Sequence, residues 1–553
     1  MKLRLALVTC AAVLFLWQLG GHDLWAPDEP YFGEGAREMV VDGEWWVPHV
    51  NGVVTTDKPP LFFWSIAALS LPGGEVNGWT ARLPSALAAL GTLLLVAWIA
   101  RRRRGEAAAW LVIPVLATTL MFWDKARWAQ IDSLLCCLIW VALTAFEAWR
   151  AGEARGARAG LLFWAAAGLA VLAKGPVGLL LPLGIALATL ATDRRLGEWR
   201  RFAPLAGPAL FAALVGGWML AATLAVPEYS VWGALREHFL ERGLHGMHHR
   251  QPPWYYLTVL PVHLLPWSGL VPAALLLAWR RRDATDRFLL VVAAFVVLFF
   301  SVSTEKRDLY VLPAVPAFAL MVSSFLSVTL FGWHQPGEEG LREERAAPPV
   351  GRRWLRAGQA VVGALLALVG AALPFVAARQ DLAGDYGVAG WMVGVFAATL
   401  VLAGLVTLWG CLRSPRTAAL APAAAFVVLY LFAATWVYPV LEPSKSSRPF
   451  AQRLAAATAD ARAAGEPVLT YDLSNLPEAF AFYGDGLYTV PAETPAAISR
   501  HLDQPGEAWA VIRAPVLDEV EAVVGRPLRV VAADHLSRRD VLLVTNAAPP
   551  GAP

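Results

Sequence analysis

Residues 81–104 read ARLPSALAALGTLLLVAWIARRRR, twenty mostly apolar positions closed by four consecutive arginines. A helix rises about 1.5 Å per residue, so roughly 20 apolar residues match the ~30 Å hydrocarbon thickness of a bilayer. Arg101–Arg104 read as the flank that halts such a helix at the headgroups; a nucleic-acid patch is the weaker reading, because the tetrad directly follows an apolar run. No nucleic-acid partner is expected.

The pattern recurs along the chain. Of 553 residues, 57% are hydrophobic and 16% charged, against about 25% charged in a soluble protein; the mean hydropathy is +0.50. Thirteen stretches are long and apolar enough to span: 5–21, 81–100, 106–122, 131–149, 159–173, 176–192, 205–226, 257–279, 286–303, 309–331, 356–377, 390–412 and 417–438. Helices are expected throughout, since backbone facing lipid must satisfy its own hydrogen bonds. With the amino terminus in the cytoplasm, 24 of the 46 Lys and Arg residues fall in inner segments and 12 in outer loops. All the tight basic clusters then lie on one side. Met1–Gly21 resembles a signal peptide, yet no small-x-small cleavage site follows, so it reads as a retained first helix. Cys10, Cys136, Cys137 and Cys411 all fall inside predicted spans, which argues against a disulfide framework or a thiolate metal site.

Two segments interrupt the helices. Residues 22–80 form a long outer loop rich in Pro, Gly and Trp. Its tryptophans suit the headgroup level, so it is expected to lie along the membrane surface. Within it, Pro30–Val41 predicts a short helix capped by Asp28 with Pro30 in the first turn. A second outer loop, 227–256, carries His238, His245, His248 and His249. After Pro439 hydrophobicity drops. A helix over 449–464, strands at 467–473, 509–513, 528–533 and 540–545, and helices at 495–502 and 515–524 predict a small α/β domain outside the cytoplasm. The expected organisation is a transmembrane domain over 1–440 and an extracytoplasmic α/β domain over 441–553. Neither contains a glycine motif for a nucleotide, and no nucleotide cofactor is expected.

Six constellations reach the outer face. Asp28 and Glu29 follow the first span. They read either as a solvated turn or as carboxylates that orient or deprotonate an acceptor hydroxyl. Asp57-Lys58-Pro59-Pro60 closes the loop, with Lys58 at headgroup level. There its ammonium meets either ordinary lipid phosphates or a bound phosphodiester. Asp132 opens the fourth span, as a first-turn residue or as an acid facing a cavity. Lys174-Gly175-Pro176 divides the fifth and sixth spans, and a turn explains the glycine and proline but not the lysine. Glu305-Lys306-Arg307-Asp308 is either a phosphate site or a self-neutralising cluster. Arg236–Arg242 reads as helix, with His238 and Arg242 on one face. His238 with Asp57 offers donors for a divalent ion (zinc, manganese or magnesium), although the spacing matches no tight metal motif.

An Asp-Glu pair after the first helix, a Lys-Pro-Pro closing the first outer loop, an acid opening the fourth helix and a Lys-Gly-Pro break together resemble the GT-C glycosyltransferases. The resemblance is to the bacterial branch that holds the lipid A aminoarabinose transferase and other relatives of the protein mannosyltransferases. It runs over roughly residues 5–320. It implies a GT-C membrane fold and inverting transfer of a sugar from a polyprenyl-phosphate donor to an envelope acceptor, a glycolipid such as lipid A, a protein or another glycan, at the periplasmic face of a bacterial inner membrane. Carried over by motif, Asp28, with Glu29 beside it, is the catalytic acid-base residue and Asp132 a second acid. Lys58, Arg242, Lys306, Arg307 and Lys174 bind the carrier phosphate, and Asp57 and His238 are the candidate metal ligands. The chain departs from the pattern at Tyr31, where an arginine often follows the pair, and at Asp57, where the aminoarabinose transferase has Glu. A lipid-linked-glycan flippase would place its polar residues near the midplane and show inverted repeats. A non-catalytic envelope scaffold would put its working part in the tail. Polar groups gathered at one interface favour the enzyme over both.

Overall fold

The protein is described here from a computed structural model covering residues 2–202, 205–230, 250–332, 349–536 and 539–547. It folds as two compact units. Unit 1 comprises Met1–Leu19, Thr56–Phe62 and Arg82–Val437, and unit 2 comprises Gly20–Thr55, Phe63–Ala81 and Tyr438–Pro553.

Unit 1 is helical. Among the described residues nine helices are long and apolar enough to cross a membrane, or ten when one bent pair is counted. All thirteen predicted stretches are helical. Two of them share Gly78–Thr118, which breaks at Gly105 (φ 84°), and two others, in Lys2–Leu16 and Val177–Thr192, are shorter apolar helices. The chain is an α-helical polytopic membrane protein. One expectation needs correction. The stretch 257–279 is not a single helix but Tyr255–His263 followed by Ser268–Arg281, bent by 116°. Pro266 stands in the break, where it has no N–H to continue the ladder.

Polar locks and close backbone crossings tie these helices together. Arg104 is 5% exposed and donates to Asp283 at 2.6 and 2.9 Å and to Asp286 at 2.7 Å. Asp283 also caps Ala284–Val302, accepting from the Asp286 N–H at 2.9 Å. Elsewhere the Gly358 Cα lies so near the Gly269 carbonyl that an added Cβ would fall 2.0 Å from that oxygen. Small residues permit such crossings where lipid gives helices no hydrophobic reason to associate.

In unit 2 a short hairpin pairs β1 (His49–Val50) with β2 (Val53–Val54), and a five-stranded sheet runs in the order β4-β3-β5-β7-β6. The strands are β3 (Val468–Tyr471), β4 (Thr489–Pro491), β5 (Trp509–Arg513), β6 (Arg529–Leu536) and β7 (Arg539–Thr545). β3 is parallel to both its neighbours, whereas β7 is antiparallel to β5 and β6. Strand β5 is apolar on both faces. Trp509 and Val511 join Phe450, Leu454 and Phe480 on one side, while Ala510 and Ile512 meet Ile498, Leu502 and Val520 on the other. Thr494 caps Pro495–Leu502 by accepting from the Ala497 N–H at 3.2 Å. The helix expected over 449–464 is interrupted at Thr458, whose hydroxyl donates to the Leu454 carbonyl at 2.8 Å. Helix Pro477–Tyr483 and strand β4 were not anticipated.

Residues 20–55 and 63–81 belong to this same unit. Asn51, at φ 58°, donates its amide to the Thr489 carbonyl (2.7 Å) and accepts from the Thr489 N–H (3.0 Å), completing the outer edge of β4 as another strand would. The tryptophans divide between fold and surface. Trp25 is buried and donates to Glu442 at 3.0 Å, and Trp64 donates to the Trp45 carbonyl at 2.6 Å, whereas Trp46 and Trp79 are exposed.

Candidate functional site

In unit 1 the acid and base residues singled out in the sequence gather at one end of the helices. Helices Ile131–Arg150 and Gly156–Lys174 form an antiparallel hairpin, so Asp132 in the first turn of one and Lys174 at the last position of the other meet as a direct ion pair. Their side chains are only 10% and 19% exposed. The Lys174 ammonium also lies 5.0 Å from the centroid of the Tyr310 ring, within cation–π range. The charges of Asp132, Lys58 and Arg307 all bear on Lys174. One acid and three cations, from four separate segments, thus share a local field.

Around that core the remaining charges are held in fixed positions. Lys58 donates to Asp57 Oδ2 at 2.9 Å, so Asp57 steadies the lysine next to it. Asp124 accepts from Lys125 at 2.8 Å and from Trp128 Nε1 at 2.9 Å. Burial opposes the charged form of Lys125, but Asp124, Asp308 and Asp132 outweigh it and hold the pKa above that of an ordinary lysine. Asp308 stands 3.4 Å from His263 Nε2. Tyr256 donates its hydroxyl to the Arg307 carbonyl at 3.1 Å and so fixes the backbone that presents this arginine. Lys306 behaves differently. It is 4% exposed, and its ammonium donates to the Gln251 carbonyl at 2.9 Å and to the Ser303 carbonyl. Arg242 and His238 lie outside the described residues, as do His245, His248 and His249.

In unit 2 the helix holding Asp28 and Glu29 runs Asp28–Asp42. It begins two residues before the expected start. Asp28 is therefore its first residue rather than its cap, and Pro27 occupies the cap position with no side-chain bond. Both acids sit in the first turn, where the helix dipole favours negative charge. Glu29 is 1% exposed and accepts from the Trp25 N–H at 3.0 Å, closing the turn that enters the helix. Asp28 remains half-buried. Tyr31 pairs its hydroxyl with Thr55 at 3.0 Å. Further along, Arg37 makes a two-pronged bond to Glu34 at 2.7 and 2.7 Å. Glu38 accepts from the Gly52 N–H at 3.0 Å. Burial, with Glu34 close by, outweighs that bond and the Arg37 charge, pushing the Glu38 pKa up to about 8.

The described residues hold no group of three His, Cys, Asp or Glu side chains placed to bind a metal ion. Sequence reading brought forward Lys58, Asp132, Lys174 and Arg307. It did not foresee the Asp132–Lys174 pair, the Tyr310 ring beside it, or the Asp308–His263 contact. Helix pairing creates these, and no spacing along the chain announces them.

Residues 1–225 match the sequence model of the dolichyl-phosphate-mannose-protein mannosyltransferase family. Among curated proteins, the undecaprenyl phosphate-alpha-4-amino-4-deoxy-L-arabinose arabinosyl transferase of Pseudomonas aeruginosa (strain LESB58) is 32% identical over 332 residues, 58% of this chain and 59% of that protein. The homologue from Edwardsiella ictaluri is also 32% identical, over 327 residues covering 57% of this chain and 58% of its own length. The match thus spans somewhat under two thirds of these relatives. Among solved structures, ArnT from Cupriavidus metallidurans bound to undecaprenyl phosphate superposes with a TM-score of 0.75 at 22% identity, covering 99% of each chain. The Archaeoglobus fulgidus oligosaccharyltransferase in the apo form gives 0.53 at 12% identity, covering 95% of this chain and 71% of its own. The chain thus shares its fold with ArnT from Cupriavidus metallidurans.

Proposed function

We propose that this GT-C chain, whose first 225 residues match the dolichyl-phosphate-mannose-protein mannosyltransferase family, transfers a sugar from a polyprenyl-phosphate donor to an envelope acceptor. The similar curated proteins are named for moving aminoarabinose from undecaprenyl phosphate, which supports the donor class, and lipid A is the acceptor that the family resemblance implies. The reaction is placed at the periplasmic face of a bacterial inner membrane, following the basic residues on the opposite side. The observation that carries the proposal is the buried Asp132–Lys174 pair at the end of the helices in unit 1, with the Tyr310 ring against it and Lys58 and Arg307 among the charges that bear on it. Cations fixed at the end of an apolar helix bundle suit a phosphate whose lipid tail lies in the bilayer.

In this reading Lys58 and Arg307 hold the carrier phosphate, with Arg242 as a further candidate. Asp132 keeps Lys174 oriented, and Lys306, spent on two carbonyls, supports the loop that presents Arg307. An ammonium about 4 Å from a phosphate oxygen gains roughly 4 kcal/mol at an effective dielectric near 20, before desolvation is subtracted. The acceptor oxygen attacks the anomeric carbon from the face opposite the phosphate. The carbon–oxygen bond to phosphate breaks, its electron pair leaves on polyprenyl phosphate, and the configuration inverts. Asp28 takes the hydroxyl proton, while Glu29 keeps the helix start in shape through Trp25. No step is routed through a metal. Asp57 Oδ2 is committed to Lys58, and a divalent ion would need donors beyond Asp57 and His238.

The test is mass spectrometry of lipid A, envelope glycans and glycoproteins from a deletion strain carrying either the wild-type chain or Asp28→Asn. One envelope component should lose a single sugar, and the variant should fail to restore it. An unchanged envelope in the deletion strain, or full restoration by the variant, would overturn this reading.

A further inference from the structure

Unit 2 contains a cavity of about 340 Å³ that the transfer reaction as described does not use. Arg37, Glu75, Arg448, Gln452, Tyr483 and Asp485 supply its polar lining, and Val40, Val41 and Val76 its apolar faces. Two cations, two acids, an amide and a phenol face it, and because Glu75, Arg448, Gln452 and Asp485 are exposed it is an open groove. Both arginines are held in place. Arg37 is anchored by its two bonds to Glu34, and Arg448 stands 3.1 Å from Asp23 with its guanidinium 5.0 Å from the Tyr483 ring centroid.

This lining excludes simple ligands. Inorganic phosphate would meet the arginines but face Glu75 and Asp485 as like charges. A lone ammonium would meet the acids and face the arginines. An apolar molecule would cover charged side chains and offer them no hydrogen bond. A compact hydroxyl-bearing molecule with both signs of charge satisfies every wall, and a sugar ring also offers C–H faces to the valines and to Tyr483. The volume is at the small end for ligand cavities, which suits one or two sugar rings.

We propose that this cavity is a binding subsite for a phosphorylated amino-saccharide, with phosphate toward Arg448 and Arg37 and the amine and hydroxyls toward Glu75 and Asp485. The identification of that ligand as the headgroup of the acceptor rests on the function proposed above; the chemistry of the cavity does not. Asp485 occupies the left-handed region at φ 55°, which asparagine also tolerates, so Asp485→Asn removes one charge without straining the backbone.

The probe is glucosamine 1-phosphate, titrated by saturation-transfer NMR against the full chain in detergent micelles. Glucosamine and inorganic phosphate serve as comparison ligands. Saturable binding of the probe is expected, at least fivefold tighter than either comparison ligand and weakened at least fivefold by Arg448→Ala and by Asp485→Asn. Asp28→Asn and Lys58→Ala should bind the probe like wild type even if their transfer activity is gone, so a failed catalytic assignment leaves this result intact. Equal affinity for inorganic phosphate, no saturable binding, or wild-type affinity in Asp485→Asn would overturn the subsite.

Discussion

Replacing Glu38 by Gln should raise stability at alkaline pH and leave it unchanged at acid pH. Glu38 is 2% exposed on the helix that also bears Asp28. Burial first, and the neighbouring Glu34 as well, push its pKa up to about 8 from an ordinary 4.5, against the lowering effects of Gly52 and Arg37. A carboxyl whose folded pKa is raised keeps its proton in the folded state over a range where the unfolded chain has released it. Stability therefore falls as pH rises from about 4.5 to about 8; the contribution is fully present below that window and gone above it. At about 1.4 kcal/mol per pKa unit the ceiling is roughly 5 kcal/mol. Local relaxation and water penetration around the ionised carboxylate reduce this to about 2–3 kcal/mol. Glutamine is neutral at every pH and keeps an oxygen for the Gly52 N–H. Thermal unfolding followed by tryptophan fluorescence at pH 5.0 and at pH 8.5 is the assay. At 2–4 °C per kcal/mol for a unit of this size, the variant should melt roughly 5–10 °C above wild type at the higher pH and with it at the lower. Parallel pH profiles for the two proteins would refute the buried-acid argument.

Other perturbations probe the helical unit. Asp132→Asn leaves Lys174 buried without its carboxylate and should cost about 3–5 kcal/mol, whereas the double change Asp132→Leu/Lys174→Met should recover part of that loss. Additive losses in thermal unfolding would mean that the two are not energetically paired. Lys58→Ala should raise the donor KM about ten- to a hundredfold, matching the loss of a charged hydrogen bond of about 1.5–3 kcal/mol, with Lys58→Arg intermediate; an unchanged donor KM would remove Lys58 from the carrier phosphate. Gly358→Ala forces a methyl onto the Gly269 carbonyl and should lower the melting temperature. Gly216→Ala, with open space at its Cβ, should hold or raise it. Equal behaviour of the two glycine variants would refute the close crossing.

Much of the fold was legible because membrane helices are written in long apolar runs, and each predicted run is helical. Legibility failed where tertiary geometry decides. Pro261 and Pro266 are visible in the sequence, but a 116° bend between Tyr255–His263 and Ser268–Arg281 is not. Strand β4 has three residues and ends in Pro491, too short for alternation to register. Trp25 and Trp64 satisfy the same headgroup pattern as Trp46 and Trp79, yet they are spent on hydrogen bonds inside unit 2. At the candidate site the sequence marked which residue types stand at the ends of the apolar runs. It could not mark that Lys306 turns inward to two carbonyls while Arg307 bears on Lys174, because one residue of separation reverses the direction of a side chain.

The two hydrogen bonds between Asn51 and Thr489 join residues 438 positions apart. A ribosome adding 5–20 residues per second needs on the order of 20–90 s to cover that distance. For that interval the early loop has been made while the sheet edge it closes does not yet exist. Closure of this edge therefore waits on Thr489, and a stop codon ahead of that position would leave Asn51 without the strand it completes.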